Sequence, residues 1–65
     1  MYTIIGAEKR MNGIVVEYRS DDGSATTPFT YAELIDLRIN ALDLLEHPGN
    51  YRIDPGNHRV RENIP

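Results

Sequence analysis

The chain has 65 residues, 40% hydrophobic and 26% charged, and its seven basic and ten acidic side chains give a net charge of -3. A domain this short buries only about 60% of the surface its unfolded form exposes, so its core supplies roughly 3–5 kcal/mol beyond entropy. With no cysteine in the sequence, disulfides, thiol nucleophiles, iron–sulfur clusters and the common zinc frameworks are excluded, and stability must come from packing within the chain or between subunits.

The opening residues Met1–Arg10 show no basic leader followed by an apolar stretch, and no apolar run approaches membrane-spanning length, which predicts a soluble, cytoplasmic protein. Tyr2 to Glu8 is β-branched and aromatic enough for a strand. Met11-Asn12-Gly13 predicts a hairpin turn through an Asn-Gly pair that favours positive φ. In the returning strand Ile14, Val16 and Tyr18 alternate with Val15, Glu17 and Arg19, giving one apolar and one mostly polar face. The register of the first strand is open, because Ile4 and Ile5 fall on opposite faces and Gly6 suits either a bulge or a close contact.

Ser20-Asp21-Asp22-Gly23-Ser24 marks a second turn, and Ala25-Thr26-Thr27 predicts a short third strand that Pro28 ends. Thr30-Tyr31-Ala32-Glu33 fits a capping box, with Phe29 and Leu34 spaced as a hydrophobic staple. One helix is predicted from Tyr31 to about Glu46, closed by His47-Pro48-Gly49. Pro48-Gly49-Asn50-Tyr51-Arg52-Ile53 then recurs as Pro55-Gly56-Asn57-His58-Arg59-Val60, each copy a turn feeding a strand. Asp54-Pro55-Gly56-Asn57 suits a type II turn, and a hairpin closed there sets Tyr51 against Val60, Ile53 against His58 and Arg52 against Arg59. The fold class is α+β: a small antiparallel sheet, β-β-(β)-α-β-β, with one amphipathic helix packed on one face of a single domain.

Charge is uneven along the chain. Residues 1–20 and 49–65 each sum to +1, while residues 21–48 hold six acids against Arg38 alone. On a helical wheel Glu33, Asp36, Asn40, Asp43 and His47 share roughly an 80° arc, and apolar side chains fill about 220°. That apolar surface exceeds what a small sheet covers. The surplus, Leu37 and Leu44 on one flank or Ile35 and Ile39 on the other, is a candidate protein interface, with self-association into a homo-oligomer the first expectation. Arg38 sits within the apolar arc, where its guanidinium could snorkel or meet Glu8 or Glu17.

Convergent catalytic groups are not evident in the sequence. Ser20 and Ser24 have no histidine nearby, there is no Gly-x-Ser-x-Gly elbow, no His-Glu-x-x-His pattern, no calcium loop and no phosphate-cradling glycine loop, so neither an enzyme nor a cofactor or metal site is expected. His47 reads as a charge at a helix C-terminus and His58 as a strand surface residue. Two charged faces remain. Glu33, Asp36 and Asp43 form a candidate acidic contact face for a basic protein surface. Arg52, Arg59 and Arg61 lie opposite Tyr51, Ile53 and Val60 and form a candidate anion contact, although no aromatic interleaves them as nucleic-acid stacking platforms require. A protein-interaction module is therefore expected, with nucleic-acid or other anion binding through the arginine face as the alternative. The plan of a few strands and a helix recurs in small accessory or inhibitory proteins of phages and mobile elements, a fold-level analogy.

Overall fold

Alternation in the first two strands decides which face becomes core. The computed structural model describes residues 1–63. In it, β1 (Tyr2–Arg10) and β2 (Gly13–Ser20) form an antiparallel hairpin in which Ile14, Val16 and Tyr18 are buried. The chain turns on Met11 and Asn12, with Gly13 already paired to Arg10 as the first residue of β2. None of the three adopts positive φ, so the expected Asn-Gly dihedral preference is not what places the glycine. Proximity is the reason: a Cβ on Gly13 would lie 1.9 Å from the carbonyl oxygen of Phe29.

A β-bulge settles the register of β1. Ile4 pairs with Tyr18 and Gly6 with Glu17, leaving Ile5 as the inserted residue. Because side chains alternate with a period of two, one extra residue reverses the face of everything beyond it. Tyr2 and Ile4 face the core before the bulge and Ala7 after it, while Glu8 turns to the opposite face.

The third strand is longer than the sequence suggests. β3 (Gly23–Thr30) runs through Pro28, which pairs with Val15. Since β3 closes one side of the strand order β3-β2-β1-β4-β5, its outer N–H row needs no partner, and proline is tolerated there.

The single helix expected over residues 31–46 is two short ones, α1 (Tyr31–Asp36) and α2 (Ala41–Glu46). The capping box forms as expected: the Thr30 hydroxyl accepts the Glu33 N–H at 3.1 Å and the Thr30 N–H donates to Glu33 Oε1 at 2.9 Å. α1 ends in a Schellman arrangement. The Ile39 N–H donates to the Leu34 carbonyl at 2.9 Å and the Arg38 N–H to the Ile35 carbonyl at 3.0 Å, with Arg38 at φ 61°. Asn40 then caps α2, its Oδ1 accepting the Asp43 N–H at 3.1 Å. Arginine in the left-handed position that glycine usually fills conceals this break from composition alone.

A 3-10 turn, Pro48–Asn50, leads into β4 (Tyr51–Asp54), which pairs with β5 (Arg59–Glu62). The first copy of the repeat is thus this 3-10 turn and the second the connection between β4 and β5. The hairpin register differs from expectation: Ile53 faces Val60, Tyr51 faces Glu62, Arg52 faces Arg61 and Asp54 faces Arg59. Four residues turn the chain, with His58 at φ 52° and Gly56 outside the positive-φ region, so the turn is not type II. Asp54 organises it, its carboxylate accepting both the backbone N–H and the side-chain amide of Asn57.

These strands form a five-stranded antiparallel sheet and, with the two helices, an α+β fold. Ile4, Ile14, Val16, Tyr18, Phe29, Tyr51, Ile53 and Val60 come from the sheet and Leu34 and Leu44 from the helices to make the core. Among the described residues no helix is long and apolar enough to cross a membrane.

Candidate functional site

Breaking the helix redistributes its apolar side chains. Leu44, expected on an interface flank, is 0% exposed and belongs to the core of the single chain. Leu37 and Ile39 are half-buried and pack against that core from the segment linking α1 to α2. Ile35 alone of the four candidates is well exposed, at 72%, and Leu42, not among them, is 63% exposed. A wheel drawn for one continuous helix cannot rank these positions, because α2 starts again from its own cap.

The acidic face disperses for the same reason. Glu33 is committed to the capping box and lies 3.0 Å from His58 Nε2. The Thr30 N–H that it accepts is the main cause that holds its carboxyl below the usual carboxylate range. Asp43 sits on the other helix and accepts a hydrogen bond from the Tyr51 hydroxyl. Burial, reinforced by this acceptor, raises the Tyr51 phenol well above its ordinary value. Asp36 remains exposed.

His58 is not a strand surface residue opposite Ile53 but the last residue of the β4–β5 turn, stacked on Phe29 of β3. His47, after α2, is exposed.

The arginines do gather. Arg52, Arg59 and Arg61 are exposed on the face of the β4–β5 hairpin opposite Ile53 and Val60. Arg52 donates from Nε to Asn63 Oδ1 at 3.3 Å. Among the described residues the ion pairs are Glu8–Arg10 and Glu33–His58, so none of these three arginines has a carboxylate within ion-pair distance. Arg38 also lacks the expected Glu8 or Glu17 partner and is exposed.

Beside β5 lies a groove of about 880 Å3, with Leu37, Arg38 and Ile39 on one side and Arg59, Arg61 and Glu62 on the other. Asp54 also lines the groove, but its carboxylate is drawn into the turn by Asn57, whose side-chain amide is the largest cause holding its pKa below the usual range. β5 ends the strand order, so among the described residues its outer row of backbone N–H and C=O groups has no strand partner, and it borders this groove. The sequence indicated the arginine face but not the groove, since no local pattern tells that the α1–α2 linker runs alongside β5.

Compared with protein-family models, with curated proteins and with solved structures, this chain has no match.

Proposed function

We propose that the chain is a non-enzymatic protein-interaction module that meets its partner along the β5 edge and the adjoining groove. The observation that supports this reading is the coincidence, on one side of the domain, of an open strand edge, half-buried apolar residues in Leu37 and Ile39, and arginines that have no carboxylate partner among the described residues. Each element suits protein contact: the edge offers main-chain hydrogen bonds, the leucine and isoleucine offer apolar area, and the arginines offer bidentate donors. Selection of a displayed random-peptide library on the immobilised domain tests it. Enrichment on the native domain that is lost on the Arg59→Glu, Arg61→Glu double variant supports the reading. Equal enrichment on both proteins, or none on either, overturns it.

A second reading, self-association through the helices, is favoured by the exposure of Ile35 and Leu42. Sedimentation over a range of concentrations tests it: mass that rises with concentration and is abolished by Ile35→Ser with Leu42→Ser supports it, and a constant monomer mass overturns it.

A further inference from the structure

We propose that the groove receives an acidic peptide in extended conformation, added to β5 as a further strand, with acidic and apolar residues at alternating positions. This rests on reading β5 as the interaction edge. An edge strand presents alternate backbone donors and acceptors outward, and an incoming strand satisfies them without any change in the sheet. Residues directly opposite across two antiparallel strands share a face. Arg59 and Arg61 share the face opposite buried Val60, so the residues an added strand sets beside them also project to that face. Carboxylates there meet two guanidiniums that have no ion-pair partner among the described residues. The intervening positions of the added strand face the other way, toward Leu37 and Ile39 on the core side, where apolar side chains fit.

Two other occupants fit less well. When two β5 edges pair antiparallel in one continuous sheet, matched residues have equal parity, so in the registers centred on Arg59, Val60 or Arg61 an arginine falls opposite an arginine, and like charges so opposed are destabilising. Nucleic acid would find cations but no stacking surface. Tyr2, Tyr18, Phe29, Tyr31 and Tyr51 all belong to or pack on the core, and the arginine face presents no aromatic ring.

The test is a fluorescence-anisotropy titration of the whole chain with a labelled peptide in which Glu and Val alternate over about eight residues, the usual span of a strand. Three further probes accompany it: a Lys-Val peptide, the Glu-Val peptide N-methylated at alternate residues, and an oligothymidylate. Expected are binding of the Glu-Val peptide and slowed amide exchange in β5. Affinity should drop at least about tenfold on N-methylation and again in the Arg59→Glu, Arg61→Glu variant, with far-ultraviolet circular dichroism confirming its fold. Unchanged affinity for the N-methylated peptide overturns strand addition. Absence of Glu-Val binding, or preference for the Lys-Val peptide or the oligothymidylate, overturns the acidic occupant. If library peptides are still captured through Arg59 and Arg61 in any of these cases, the interaction reading stands while this inference falls.

Discussion

The imidazole of His58 stacks on the phenyl ring of Phe29, centroids 4.2 Å apart and planes inclined by 21°. These residues come from the turn before β5 and from β3, the two strands that end the sheet on opposite sides, so the contact draws the sheet's edges toward each other over the core. Glu33, at the start of α1, meets the same imidazole at 3.0 Å and ties the helix into the closure. His58→Ala is expected to destabilise the domain by about 1 kcal/mol in urea unfolding, mostly from the lost stacking, because the ion pair is solvent-exposed. A change below about 0.3 kcal/mol would show that the closure stands without this contact.

Arg38 holds a left-handed conformation, φ 61°, that costs an L-residue roughly 1 kcal/mol. Arg38→Gly should therefore raise the urea midpoint and stabilise the domain by about 0.5–1 kcal/mol, despite glycine's freer unfolded chain. Destabilisation would instead mean that the arginine stem contributes packing worth more than the strain.

Leu44 and the exposed apolar residues should separate cleanly. Leu44→Ala is expected to cost about 2–5 kcal/mol, comparable with the whole stability of so small a domain, and to leave the chain largely unfolded at 25 °C by circular dichroism. Ile35→Ser and Leu42→Ser, measured the same way, should each stay within about 0.5 kcal/mol of the parent.

Stability should fall off on both sides of neutral pH. Glu33 and Asp54 have folded-state pKa values below their ordinary 4.5 and 3.8, held there chiefly by hydrogen bonds from Thr30 and Asn57. A depressed carboxyl pKa stabilises the fold above the unfolded value, and that contribution disappears as pH drops through the folded one. The loss therefore begins near pH 4.5 and deepens below it. Tyr51 works in the opposite sense: burial and the Asp43 acceptor raise its pKa above the ordinary 10.0. Its contribution is complete below about pH 10 and is lost as pH climbs toward the raised value. Urea midpoints measured from pH 2 to pH 11 should show both limbs, with Glu33→Gln flattening the acid one and Tyr51→Phe the alkaline one.

Gly13→Ala should destabilise by about 2–3 kcal/mol, since its methyl would overlap the Phe29 carbonyl and neither strand can move away without breaking the pairing. Thermal unfolding followed by circular dichroism checks this, and a melting curve that matches the parent would contradict the close approach.

Sequence reasoning reached the features written in adjacent residues. The Thr30–Glu33 capping box, the apolar face of Ile14, Val16 and Tyr18, and the arginine side of the last hairpin each follow from spacing that a single element decides. It failed where a side chain in an unusual backbone conformation decided the outcome. Arg38 at positive φ split the helix, and His58 at positive φ lengthened a turn and moved Arg61, rather than Arg59, opposite Arg52. Neither residue type advertises that conformation as glycine does. The burial of Leu44 was hidden for a related reason: two helices with separate caps have no common wheel.

The bulge at Ile5 marks the place in β1 where this chain tolerates the loss of a residue. On either side of it β1 alternates correctly, but in opposite phase. Deleting Ile5 would set Ile4 and Gly6 in one regular ladder opposite Tyr18 and Glu17, with Ala7 and Lys9 still on the core side and Glu8 and Arg10 still on the other, and replacing it with a polar residue would alter only an exposed side chain. Ile5 is thus a surplus residue that the strand carries as a local bend: both its identity and its presence can change while the faces of its neighbours stay as they are.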